Sequence, residues 1–305
     1  MTNGPTIHPV APGDRPVWSV VIPAHQCADL VGRTVSSVLE QLGERHDAEI
    51  IVVDDGSTDH PEHAVAAVDP DGRVVVERND RALGAVANFN RCLRATRGRY
   101  VHLLHGDDIV FPGFYERMER ALDEPGIVTA VCRARYIDGH DRSGVVTRHE
   151  REGSGRWDGV LHTLAVSNRI RPAAIVARRD AYEQVGGFRT DLPHAADWEM
   201  WMRLAAHGPV YFVDEALAAY RIHGASDTAT RVRTGINIRE RREVLDDIVA
   251  YLPPSDRSAV RRKARGYSGL YAVRTAGRSL RTGDVRAVAA QLREAAICAW
   301  TAVRP

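Results

Sequence analysis

Short, wholly apolar runs separated by amphipathic stretches dominate the first third of the chain. Residues 18–22 (WSVVI), 49–53 (EIIVV), 74–77 (VVVE) and 100–104 (YVHLL) are rich in β-branched residues, and most run straight into a turn or a polar cluster. Half-exposed strands would alternate; continuous runs predict strands buried on both faces. Between the first two, Val31, Val35, Val38, Leu39 and Leu42 fall at i, i+4, i+7, i+8 and i+11, the apolar stripe of a helix. Another helix is predicted over 85–94. Strands alternating with helices predict an α/β fold, its parallel sheet covered on both sides.

The second half is less regular. A strand is predicted over 127–136, a sharp turn at Gly186-Gly187, a helix over 199–206 and a strand over 210–213. Beyond residue 223, apolar positions 236, 244, 245, 248, 249 and 252 suit one helix ended by Pro253-Pro254, and 285, 288, 292 and 296 suit another. The expected organisation is a disordered leader over 1–16, an α/β domain over 17–228 with halves 17–112 and 113–228, and a helical extension over 229–305.

The apolar fraction of 44% is that of a globular protein. The four cysteines, Cys27, Cys92, Cys132 and Cys298, show no zinc-type spacing, which fits a reducing compartment. The opening residues lack the apolar core of a secretory signal. No run reaches the ~18 apolar residues of a membrane span. A cytoplasmic location is therefore expected. Charge changes this picture. From residue 229 onward, sixteen Lys and Arg face seven Asp and Glu, a net +9, which leaves −8 on residues 1–228 of a chain whose total is +1. A basic tail on an acidic body predicts peripheral contact with an anionic membrane at its inner face; the alternative is a solvated helical face. The tail lacks interleaved aromatics and any reader motif, which argues against nucleic acid.

Chemistry concentrates where the predicted strands end, at PAHQ (23–26), DDGSTD (54–59) and HGDD (105–108). Parallel sheets bind ligands past those carboxyl ends. Asp54 and Asp55 need hydrogen-bond donors, which a base or ribose offers; the alternative is a plain turn with Ser57 or Asp59 capping the next helix. Asp107 and Asp108 repel each other, and a divalent cation removes that penalty. Mg²⁺ or Mn²⁺ suits such carboxylates together with substrate phosphates, and would neutralise a diphosphate leaving group. The alternative has Asp108 opening a helix. Asp197, ahead of EMWMRL, either caps that helix or takes the proton of an attacking hydroxyl. Trp198 and Trp201 would then wall a sugar ring.

In order, VVIPAHQ, an amphipathic helix, EIIVVDDGSTD, RND with Gly84, YVHLLHGDD, GGF (186–188), ADWEMWMRL (196–204) and AYRIH (219–223) resemble glycosyltransferase family 2 over about residues 17–224. The resemblance implies a GT-A fold with a Rossmann-like nucleotide-binding layer. It also implies inverting transfer from a nucleotide-diphosphate sugar, UDP- or dTDP-linked, to an acceptor hydroxyl. Nucleotide contacts are implied for Pro23, Ala24, Asp54 and Asp55, metal and diphosphate contacts for Asp107 and Asp108, and the role of base for Asp197. Three positions depart from the family pattern: His105 replaces the first acid of DxDD, Ala196 replaces the acid beside the base, and Phe89 stands where an arginine is common. Arg78 is then the candidate for phosphate, His223 for the metal, and Arg221 for the diphosphate. His105, His194 and Trp198 are candidates on the acceptor or diphosphate side. Residues 135–195, with DGHDRSG and REGSGRWDG as lid-like loops, are expected to set acceptor specificity. The rival expectation is a non-catalytic nucleotide-sugar-binding scaffold on the same fold, which retention of Asp107, Asp108 and Asp197 opposes. A nucleotidyltransferase would carry a glycine- and lysine-rich phosphate loop, which VIPAHQCADL lacks.

Overall fold

The computed structural model describes residues 4–11, 13–42, 45–222 and 227–302. The first half runs β1 (Trp18–Ala24), α1 (Ala28–Leu42), β2 (Ala48–Asp54), α2 (Pro61–Val68), β3 (Val74–Arg78), α3 (Ala85–Ala95) and β4 (Tyr100–Leu103). The four strands lie parallel in the order β3-β2-β1-β4. The runs of β1, β2 and β4 are continuous because both faces are covered, whereas β3, at the sheet edge, leaves Val75 57% and Val76 36% exposed where burial on both faces was predicted. Val20 and Ile22 of β1 join Val31, Val35, Val38 and Leu42 of α1 on one side, while Val21 joins Leu93 of α3 on the other.

The second half runs β5 (Ile109–Val110), α4 (Phe114–Asp123), β6 (Thr129–Ile137), β7 (Ser143–Val146), β8 (Gly155–Arg156), α5 (Val160–Val166), β9 (Ile175–Arg178), α6 (Arg179–Val185), α7 (Ala196–His207) and β10 (Val210–Arg221). These strands continue the sheet in the order β4-β9-β6-β10-β5. Here β9 is antiparallel to both β4 and β6, whereas β6 and β10 are parallel. The stretches expected as lid-like loops carry the short strands β7 and β8, which pair with β6 and β10. β10 runs well past the predicted 210–213, because register shifts between Val213 and Ala218 break the alternation that reveals a strand.

Within the leader expected to be disordered, residues 4–10 are instead docked. Ile7 is fully buried in the core beside Phe188, Gly187 N donates to Pro5 O at 2.7 Å, and Arg179 donates to His8 O. Its proline and glycine content suggested a loose chain, but a single well-placed isoleucine is enough to anchor it.

Five helices follow: α8 (Asp227–Thr234), α9 (Ile236–Glu243), α10 (Leu245–Ala250), α11 (Pro254–Arg281) and α12 (Val285–Ala302). The helix predicted up to Pro253 is divided into α9 and α10 at Val244. α11 and α12 pair with each other, α11 also packs on α5, and α12 packs on α8.

The GGF turn ties the two halves of the domain together. Asn90 of α3 accepts from Phe188 N at 2.7 Å and donates to Phe188 O at 2.8 Å. Arg203 of α7 donates to Val185 O and Gly187 O while pairing with buried Glu199. A side chain on Gly187 would collide with Asn90 Oδ1. Asn90→Ala would strand both backbone groups of Phe188, at about 1–3 kcal/mol each. We expect roughly 2–4 kcal/mol lost in urea unfolding; a loss under ~1 kcal/mol would show that the tie contributes little.

Candidate functional site

Backbone hydrogen bonds lace the carboxyl ends of β1, β2 and β4 into one edge. Asp55 N donates to Ala24 O at 2.8 Å, Gly106 N to Pro23 O at 3.1 Å, and Asn79 N to Asp54 O at 2.8 Å. Pro23 and Ala24 are buried within this lacing. Gly106 is required there, since a Cβ would come 3.0 Å from Cys27 Sγ and 3.1 Å from Pro23 O. Gly56 has φ 66° and lies against the backbone of Arg81 and Ala82, so it meets both reasons for glycine.

The protein's own groups satisfy the two DDGSTD carboxylates, where a ligand's donors had been expected. Buried Asp54 accepts from Ser57 N at 3.0 Å, from Ser57 Oγ and from Arg78 Nη1 at 2.6 Å. Arg78 Nη2 also donates to Ser57 O, so this guanidinium is committed to the turn and only half exposed. Asp55 accepts from Asn79 Nδ2, Leu83 N and Gly84 N at 2.6–2.9 Å. That occupies three of a carboxylate's roughly four lone-pair sites. Neither capping role assigned to this turn appears for α2: its N-cap position is His60, and Asp59 accepts instead from Ala28 N at the start of α1.

HGDD gathers a second group. One ligand atom from each of His105, Asp107 and Asp108 lies within 4.8 Å of the others. Asp108 is fully buried and opens no helix. Its Oδ1 accepts from Arg221 N at 2.8 Å, while Oδ2 has no partner among the described residues. Burial pushes the Asp108 carboxyl well above the carboxylate range, with repulsion from Asp107 adding to it. Burial pushes His105 below its ordinary value, against the pull of Asp107 and Asp197, so its imidazole is neutral and free to ligate. An orphaned carboxylate oxygen, a second carboxylate and a neutral imidazole fit a divalent cation such as Mg²⁺ or Mn²⁺.

Arg221 closes this loop from β10. Its side chain is inaccessible to solvent and donates to Asp107 O at 2.6 Å and Asp138 O at 2.7 Å, and it pairs with Asp141 at 2.5 Å. Asp138 and Asp141 belong to the DGHD turn between β6 and β7. His223 lies outside the described residues.

Two of the departures noted in the sequence touch. The Phe89 ring stacks on His105, with centroids 5.0 Å apart and planes 20° apart, and Phe89 meets Phe188 edge-on.

Asp197 sits in the first turn of α7, where the helix dipole favours a carboxylate. Its Oδ2 accepts from Asn168 Nδ2 at 2.9 Å, and Oδ1 from Trp198 N at 2.6 Å. Trp198 and Trp201 are only 2% exposed and face the core rather than an open wall. Trp198 Nε1 donates to Leu164 O at 2.7 Å. His194 is half-buried ahead of Asp197, and burial lowers its pKa. Glu240 of α9 accepts from His194 N and Ala195 N, so the extension holds the approach to Asp197. Asn168, Arg171, Glu240 and Arg241 are the neighbours that sequence reading missed. The polar run SNRIRP was the available signal for the first two; Glu240 and Arg241 sit in RERRE, where charge alone distinguishes nothing.

A family profile described as glycosyl transferase family 2 matches residues 19–186, more than half of the chain. The chain belongs to glycosyltransferase family 2. A protein of Mycobacterium tuberculosis (strain CDC 1551 / Oshkosh), called uncharacterized, is 32% identical over 260 residues, 80% of either chain. The Escherichia coli chondroitin synthase is 26% identical over 231 residues, which span 71% of this chain and 30% of that one. Among solved structures, Staphylococcus aureus TarS (residues 1–349) superposes with TM-score 0.66 at 14% identity, covering 84% of this chain and 72% of that one. The Pyrobaculum calidifontis mannosyltransferase PcManGT, in complex with GDP-Man and Mn²⁺, superposes with TM-score 0.58 at 18% identity, covering 97% and 90%. The fold of this glycosyltransferase is thus the GT-A fold with added C-terminal helices.

If the HGDD group binds a cation, relieving Asp108 of its orphaned charge should be visible without any assay of activity. Metal-free Asp108→Asn should melt above the metal-free parent. Mn²⁺ at a hundredfold excess over Kd should stabilise the parent by about 2.7 kcal/mol and the variant far less. Equal Mn²⁺ shifts in scanning fluorimetry would exclude Asp108 as a ligand.

Proposed function

We propose that this glycosyltransferase moves a hexosyl or deoxyhexosyl unit, with inversion, from a UDP- or dTDP-sugar to an acceptor hydroxyl. The carrying observation is convergence at one imidazole: His105 lies within electrostatic reach of both Asp107 and Asp197. This supports a metal-diphosphate group and a base on one common space. Asp197 takes the hydroxyl proton as the acceptor oxygen bonds to the anomeric carbon, and the bond from that carbon to the diphosphate breaks. Asn168 orients the accepting carboxylate.

Asp107, Asp108 and His105 would hold Mg²⁺ or Mn²⁺, with His223 a further candidate, and the bound ion would supply charge compensation for the departing diphosphate. Pro23, Ala24 and Asp55 border the nucleoside, with Asp54 and Arg78 fixing the turn beneath it. Arg221 stiffens the loop under the diphosphate. The TarS structures in complex with UDP and UDP-GlcNAc, and the PcManGT complex, support a nucleotide-sugar donor. Relatives named chondroitin synthase and succinoglycan biosynthesis protein ExoO support a role in polysaccharide or glycoconjugate synthesis. Residues 17–112 serve the donor, and 113–228 serve the acceptor.

The deciding test is calorimetric titration of UDP and dTDP with and without Mn²⁺. Metal-dependent binding lost in Asp107→Ala/Asp108→Ala is expected. Asp197→Asn should keep that binding and lose roughly 10²–10⁴ in transfer rate. Absence of nucleotide binding under any metal condition would put the non-catalytic reading first.

A second expectation concerns location. No helix among the described residues is long and apolar enough to cross a membrane. Leu270, Val273, Leu280, Val285 and Leu292 are about half exposed or more on α11 and α12, and exposed Arg274, Arg278, Arg281, Arg286 and Arg293 are interspersed with them. Such a face suits a peripheral contact with anionic headgroups on the cytoplasmic side. Flotation should be stronger with phosphatidylglycerol than with phosphatidylcholine vesicles; no difference would rule the contact out.

A further inference from the structure

Three arginines near Asp197 keep N–H groups that nothing satisfies among the described residues. These are Nε of Arg169, Nε of Arg171, and Nε and Nη2 of Arg241, all shielded from solvent. Arg241, from α9, has its guanidinium carbon 5.1 Å from the Trp198 ring, 5.6 Å from Tyr271 and 6.0 Å from Tyr267. Arg169 reaches the same Tyr267 ring at 5.7 Å, and Arg171 stands over Tyr220 at 6.0 Å. Stacking satisfies the faces of a guanidinium and leaves its in-plane N–H edge unmet. Buried donors without acceptors are rare enough to require a reason.

The charges point the same way. Arg171 and Arg241 repel each other, and both face Asp197. Glu150 faces Arg169. Nearby carboxylates are committed elsewhere: Glu240 pairs with Arg231, and Glu294 with Arg242. Arg171 faces Asp108 as well as Asp197, so these guanidinium groups share few carboxylates, one of which must stay available for the acceptor's proton. Uncompensated buried charge is costly, and a guanidinium fork matches a carboxylate or a phosphate.

We propose that Arg169, Arg171 and Arg241 form an oxyanion subsite beside Asp197, which takes a phosphate or carboxylate group carried by the acceptor. That the anion belongs to the acceptor rests on the transferase reading; that the arginines bind an oxyanion does not. The subsite places a negative group close to the attacking hydroxyl, and α9 and α11 supply one arginine and its aromatic cage.

The test titrates inorganic phosphate and glucuronate, with glucose as the uncharged control, into the metal-free full chain by calorimetry. At least one anion should bind and glucose should not. Arg241→Gln and Arg169→Gln should each weaken binding roughly tenfold or more. Arg241→Lys, which keeps the charge and loses the fork, covers the case in which Arg241→Gln fails to fold. Asp107→Ala/Asp108→Ala should not abolish this binding. Binding of phosphate alone points to a phosphorylated acceptor, and of glucuronate alone to a uronic acid. No binding, binding that survives both arginine substitutions, or binding lost in the aspartate pair would overturn the proposal. Failure of nucleotide binding in the separate titration would leave the phosphate result standing.

Discussion

The carboxylate of Asp108 is the constraint around which the rest of the site is arranged. It is fully buried in the loop between β4 and β5, against the end of β10, and one of its oxygens has no partner among the described residues. Its surroundings hold the loop rather than neutralise the charge. Thr34 of α1 donates to its carbonyl at 2.7 Å, Arg221 N donates to its Oδ1, and the Arg221 side chain runs on to Asp107 O and the DGHD turn. A site built only for stability would have put a donor on Oδ2, as Arg78 and Ser57 do for Asp54. Asp54 has donors on both oxygens, whereas Asp108 keeps one oxygen unmet among the described residues.

The departures from the family pattern make sense on the same terms. Removing an acid at position 105 lowers the negative charge crowded around Asp108. The Phe89 and His105 rings stack, and neutral imidazole remains a suitable ligand. Ala196 stands beside Asp197, the Glu199 of the same helix turn is paired with Arg203, and Asn168 donates to the Asp197 carboxylate.

Much of this was legible in the sequence because it is local. The four parallel strands, α1, α3 and the polar clusters at the strand ends follow from apolar runs and turn chemistry within a few residues. What escaped reading depends on partners far along the chain. Ile7 is buried by a core assembled from much later residues, so its Pro- and Gly-rich setting misled. Asp54 and Asp55 looked like ligand groups, because Arg78, Asn79 and the amides of Leu83 and Gly84 that satisfy them sit beyond β2 and α2. Trp198 looked like a sugar platform, because a helix of mixed polarity does not reveal which face it buries. Register shifts concealed most of β10, the strand that delivers Arg221.

The C-terminal helices were expected as an appendage, and their contacts argue otherwise. Glu240 accepts the N–H groups of His194 and Ala195, just ahead of α7, and so fixes where the base-bearing helix begins. The next residue, Arg241, lies over Trp198, the neighbour of Asp197. Tyr267 and Tyr271 of α11 complete its cage. One turn of α9 therefore positions the base and borders the space in front of it. The family profile ends at residue 186, before Asp197 and before every one of these groups. The contacts that α9 makes at the start of α7 thus come from the part of the chain that the profile does not match, while the backbone lacing at the ends of β1, β2 and β4 involves neither α9 nor α11.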